Sequence, residues 1–236
     1  MSALSASSFV ERLFRLYDGL DSIEVREDTG RAAVMAHGWY MRVRRSAEAI
    51  RVLDDVGYSH EAAPLRRSMI EHALALHWLA DATEAAVDAL LVSHQERMRR
   101  IRESMTDDWP VDRGLFDPIL NSSIPSSPEM TYLAFKHLCD RYDQSDLFVA
   151  WLLETSHSHP SFSSAVAYTE GESIEELVLT DGSADFPSSD DEVVALMMLI
   201  ASQGFNRLIV GSPWTTVLAA IEGEMTQALS PAPVER

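Results

Sequence analysis

The stretch Ser59–Asp81, SHEAAPLRRSMIEHALALHWLAD, constrains the fold more than any other part of the chain. Between Ser68 and Ala80, apolar side chains fall on almost every side of a helix: Met69, Ile70, Ala73, Leu74, Ala75, Leu76, Trp78 and Leu79. A helix that is apolar all round is enclosed by other helices. Yet Arg66, Arg67, Glu71, His72 and His77 enter the same setting. Buried charge is costly unless paired, so these residues form either a structural knot or a site.

The other segments carry the same 3.6-residue period. Leu4–Leu20 reads as a short amphipathic helix with Phe9, Leu13, Leu16 and Leu20 on one face. Thr29 caps a long helix to about Val56, with an inner stripe of Ala33, Ala36, Tyr40, Val43, Ala47, Ile50 and Leu53. Ser59 opens the central helix, with Pro64 in its first turn. Thr83 caps a fourth helix to about Met105, whose stripe includes His94. The Pro-rich stretch 106–129 is an irregular connection with a helical turn near Phe116. Two further helices are expected, over Thr131–Arg141 and from a Ser145 cap to about Ser156. An acidic loop follows, in which 174–179 reads as a helical turn or a short strand. Helices over Ser189–Val210 and Ser212–Leu229 close the chain, the second with Ser212 at N-cap and Pro213 at N1. The fold class is all-α: one domain over residues 1–230, a bundle of roughly six to eight helices with irregular connections at about 106–129 and 169–190. Residues 231–236 read as a disordered tail.

Composition acts mainly by exclusion. The single cysteine, Cys139, forbids an internal disulfide and a cysteine metal knuckle, and points to a reducing, cytoplasmic setting. The N-terminal stretch has no clean apolar core of the kind a signal peptide carries. The longest apolar run, Val193–Ala201, is less than half of the ~20 residues a membrane span requires, so no membrane partner is expected. A formal charge of −18, from 37 acidic and 19 basic residues, makes nucleic acid an unfavoured partner overall. No P-loop, G-x-G-x-x-G, G-x-S-x-G or H-E-x-x-H motif occurs, and no cofactor is assigned.

Three constellations carry potential chemistry. Arg67 and Glu71 stand one helical turn apart, as an ion pair that orients a ligand or as a salt bridge of the core, the commoner outcome for buried ions. Arg67 and His72 have the R-x4-H spacing of HEPN ribonucleases, in which His acts as acid or base and Arg stabilises phosphorane charge. Ser156, His157 and His159 in LLETSHSHPS follow a helix end. There imidazole meets the negative end of the helix dipole. Glu154 and His157 form one E-x-x-H unit, but no other histidine has a carboxylate three residues before it, so the di-iron pattern is incomplete. A mononuclear site from His157, His159 and a distant carboxylate stays open, though no metal ligand is assigned. His37, His77, His94 and His137 read as hydrogen-bonded core residues, and Cys139 as an inert thiol.

The segments AAPLRRSMIEHALALHWL (62–79) and LLETSHSHPSFSSAVAY (152–168) together resemble an uncharacterised bacterial all-helical family grouped loosely with HEPN-like domains. The resemblance carries over to Arg67, Glu71, Ser156, His159 and His157, and its relatives imply phage-defence or toxin-like roles. The expectation is a polar pocket in which Arg67 and Glu71 meet His159, to bind a small polar ligand or order a homodimer interface. If it is catalytic, His159 is acid or base, Arg67 stabilises an anion and Glu71 supports it, with His72, His157 and Ser156 as binding residues. The alternatives are a HEPN-like metal-independent ribonuclease or toxin, with Arg67 and His72 across a two-fold, and a purely structural module.

Overall fold

A computed structural model describes residues 5–170, 178–180 and 190–229. Among them the chain forms α1 (Ala6–Asp18), α2 (Gly30–Asp55), α3 (Ala63–Ser104), α4 (Asp117–Leu120), α5 (Phe135–Arg141), α6 (Ser145–Ser158), α7 (Phe162–Val166), α8 (Asp190–Asn206) and α9 (Thr215–Leu229). Six of these have 13 residues or more, and the fold is the expected all-α bundle. Short 3-10 turns lie at Glu27–Thr29, Arg113–Phe116 and Pro128–Leu133. Two-residue strands β1 (Thr169–Glu170) and β2 (Val178–Leu179) pair antiparallel, Thr169 opposite Leu179. Residues 171–177, 181–189 and 230–236, with most of the acidic loop and the expected tail, lie outside the described residues. No helix among the described residues is long and apolar enough to cross a membrane.

The centre is the mutual packing of α2, α3 and α8. On α2 the stripe Ala33, Ala36, Tyr40, Val43, Ala47 and Ile50 is buried as its period dictates, while Leu53 is only partly covered. On α8, Val194, Ala195, Met197, Met198, Leu199, Ala201, Ser202 and Phe205 are all buried, so α8 is the helix enclosed most completely. Small residues let the axes approach. A Cβ on Gly204 of α8 would stand 2.9 Å from the backbone nitrogen of His77 and from Cβ of Leu76. The Tyr40 ring stacks on Phe205 at 4.8 Å, with Trp214 at 6.0 Å from each. That burial pushes the Tyr40 hydroxyl up to about 12. α1 lies on α8 and is tied to α9 by Arg12 and Glu224 at 2.5 Å.

Several boundaries differ from the pattern. Residues 59–62 form turns, and α3 starts at Ala63. The expected third and fourth helices are one element, broken in conformation at Thr83 (φ 45°, ψ −119°). Thr29 does occupy the N-cap of α2, but its hydroxyl donates to the Arg26 carbonyl and caps nothing in the helix. Ser145 is the first residue of α6, with Gln144 at the cap. The last helix opens at Thr215: Ser212 has φ 44°, and Asn206 holds the turn before the helix, its Oδ1 accepting from the Trp214 amide at 2.9 Å. α8 stops at Asn206, and Ile209 pairs with Val25 instead of continuing the helix.

Candidate functional site

α3 is not enclosed on every side. Arg67, Glu71 and Ala75, at i, i+4 and i+8, form a half-exposed stripe, and α6 lies across its first turns. Trp151 of α6 donates its indole N–H to Glu71 Oε1 at 2.6 Å. Arg67 Nη2 reaches the same oxygen at 3.4 Å, and the guanidinium lies 5.0 Å above the Trp151 ring. Arg67 Nη1 is 2.8 Å from Nε2 of His159. A guanidinium has only donors, so in this contact Nε2 accepts. Arg67 Nε is buried and has no hydrogen-bond partner. Phe148 stacks on Trp151 at 5.8 Å and Phe135 lies 5.5 Å from it, which fixes the indole. The structure thus brings Arg67, Glu71 and His159 together, at a surface edge: the Arg67 and Glu71 side chains are 27% and 37% exposed, and His159 is exposed.

The deeply buried ion pair is its neighbour. Arg66 is 8% exposed; its Nε donates to Glu154 Oε1 at 2.9 Å and its Nη1 to the Ser59 carbonyl at 2.7 Å. Periodicity carries the signal for this, because Arg66 shares a face with Met69, Ile70 and Ala73, all buried. Arg66 holds Glu154 Oε1, and the buried Oε2 has no hydrogen-bond partner. His157 stands edge-on to His60 at 5.6 Å, whereas His159 turns to Arg67. His157 and His159 therefore face different neighbours. Among the described residues no three His, Cys, Asp or Glu side chains converge as a metal site. Ser156 Oγ donates to the Leu153 carbonyl at 2.7 Å, within its own helix.

His72 looks elsewhere. Five residues put it about 140° around the helix from Arg67, and it lies edge-on to Trp39 of α2 at 5.7 Å. Its Nδ1 is 2.7 Å from the Ser68 carbonyl, and burial lowers its pKa. Within one chain the R-x4-H pair therefore does not form one site. His77 Nε2 bonds the Ile200 carbonyl at 2.9 Å, and burial lowers its pKa too. His94 is exposed, contrary to its expected core role. His37 and His137 are exposed as well, bonded to the Tyr17 hydroxyl at 2.8 Å and the Thr131 carbonyl at 3.1 Å. Cys139 is buried, which pushes its thiol up to about 11 and leaves it unreactive. The contribution of Trp151 was not legible from spacing, since no local pattern says that α6 crosses α3 at Glu71.

No curated protein and no solved structure matches the chain. Residues 33–176, a span holding Arg66, Arg67, Glu71, Trp151, Glu154 and His159, match the model of a family of unknown function, DUF5677, and the chain belongs to that family.

Proposed function

We propose that the chain is a ligand-binding helical protein of the bacterial cytoplasm, in which Arg67 takes the anionic end of a small polar ligand between α3 and α6. The observation that supports this is the incomplete satisfaction of the Arg67 guanidinium. Its shortest bond, 2.8 Å, goes to an imidazole nitrogen; its carboxylate is at 3.4 Å and shared with an indole; its buried Nε has no partner. A carboxylate or phosphate oxygen is a stronger partner for a guanidinium than a neutral imidazole is, so an oxyanion that displaces the exposed His159 ring gains by the exchange. Trp151 and Glu71 hold the guanidinium in place meanwhile. If chemistry follows binding, His159 is the acid or base and Arg67 stabilises negative charge. The test is thermal melting with acetate and with inorganic phosphate. Either anion should raise the Tm of wild type and leave Arg67→Gln unmoved. No shift in wild type with either would reject the proposal.

A second reading is a homodimer acting as a HEPN-like, metal-independent ribonuclease of a defence system. It draws on the exposed apolar side chains Val149, Leu152, Leu153 and Phe162, on α6 and α7 beside His159. It requires a dimer in sedimentation, and cleavage of single-stranded RNA that Arg67→Gln abolishes. A monomer without cleavage rejects it.

A further inference from the structure

Beside the Glu71 stripe, a cleft of about 640 Å³ opens between α2, both halves of α3, the Pro128–Leu133 turn and α5. That volume is within the range of small-molecule sites, about 300–1,000 Å³. Its walls are aromatic: Trp39, Trp78, Tyr132 and Phe135. Both halves of α3 contribute to it. Trp78 lies before the break at Thr83 and Leu90 after it, twelve residues on.

The polar groups of the cleft are selective. His72 is tied through Nδ1 to the Ser68 carbonyl, which leaves Nε2 as its remaining polar atom. Trp78 gives its indole N–H to Glu129, and Arg141 pairs with the same carboxylate at 2.7 Å, so that acid is already matched. Glu71 is matched by Trp151 and Arg67. Arg97 on the rim is different. Its neighbours Arg99 and Arg100 pair with Glu96, and Arg102 pairs with Asp117, but Arg97 makes no ion pair among the described residues. In a chain of charge −18, an arginine without a carboxylate beside an aromatic cleft is a selective feature.

We infer that this cleft binds a planar aromatic molecule carrying an anionic group, the ring against Trp39 and its aromatic neighbours and the anion on Arg97. Ring stacking and a charge-assisted bond to a guanidinium are complementary recognition modes. The inference does not rest on the Arg67 proposal, since the two arginines are tested separately.

Titration calorimetry and tryptophan quenching on the full chain test it, with two anionic probes, indole-3-acetate and adenosine monophosphate, beside their neutral counterparts, indole and adenosine. At least one anion should bind at least tenfold tighter than its neutral partner. Which one does so separates a carboxylate from a phosphate. Arg97→Gln, an exposed change that breaks no ion pair, should bring the anion down to the neutral level with folding intact, and Trp39→Leu should weaken both members of the pair. No binding by either anion at millimolar concentration, or equal binding by wild type and Arg97→Gln, would overturn it.

Discussion

Arg66 and Glu154 meet at 2.9 Å with their side chains only 10% and 17% exposed, and they tie α3 to α6 across the candidate site. Trp151 stands three residues before Glu154 on the same helix, so the ion pair sets the height at which the indole reaches Glu71. Removing one partner of a buried pair costs far more than the pair is worth against an apolar replacement. Glu154→Ala should destabilise the protein by about 3 kcal/mol. Arg67→Gln, whose ion pair is half exposed, should cost no more than about 1 kcal/mol. Urea denaturation measures both, and comparable losses would mean that the deep pair is not the structural one.

Gly204 and Gly38 should respond with opposite signs to the same substitution. Alanine at 204 would place its Cβ against the backbone of His77, in a contact that neither helix can relieve without moving apart. Overpacking of this kind costs about 1–3 kcal/mol, more than the helix propensity that alanine gains. Gly38 on α2 has nothing within 4 Å of an added Cβ, so alanine there should stabilise by about 0.5–1 kcal/mol. In melting curves the two variants should fall on opposite sides of wild type.

Thr83 gives a third contrast. A β-branched residue at φ 45° is strained, by about 1–3 kcal/mol. Glycine in an ordinary helix interior costs about 1 kcal/mol instead. Thr83→Gly should therefore hold or raise the Tm, whereas Thr83→Ala should gain little, because it keeps a Cβ at positive φ. A fall of several degrees for Thr83→Gly would mean that the helix runs unbroken through this position.

The bundle was legible because its signals are local. The period of α2 named its buried stripe from Ala33 to Ile50, though not at the partly covered Leu53, and the turn near Phe116 followed from the prolines around it. Arg67, Glu71 and His159 were legible as polar residues in unusual places, though not the depth of each: the shift of one position from Arg67 to Arg66 decides which guanidinium faces the core. The cleft was illegible, because Trp39 and Trp78 come from different helices, and no spacing says that Arg97, beyond the break at Thr83, shares their cleft. A threonine after an apolar run reads as a cap, and here the capping position became a break inside one helix.

His72 and His77 should make the protein acid-sensitive before its carboxylates do. Burial lowers both folded-state pKa values below the usual 6.5, more than their backbone partners Ser68 and Ile200 raise them. The nearby charges oppose one another: Arg42 against Glu71 at His72, and Arg207 against Asp81 at His77. The unfolded chain therefore takes up protons near pH 6.5 that the folded chain refuses, and stability falls as pH drops below that value. Most carboxylates titrate near pH 4, so between pH 7 and about 5.5 the histidines dominate, ahead of any relief of repulsion as the −18 charge shrinks. The urea midpoint should drop over that interval. His77→Gln, whose amide can still donate to the Ile200 carbonyl, should flatten the drop at modest cost at pH 7. Combining it with His72→Gln should flatten it further, and an unchanged slope in the double variant would place the acid sensitivity elsewhere.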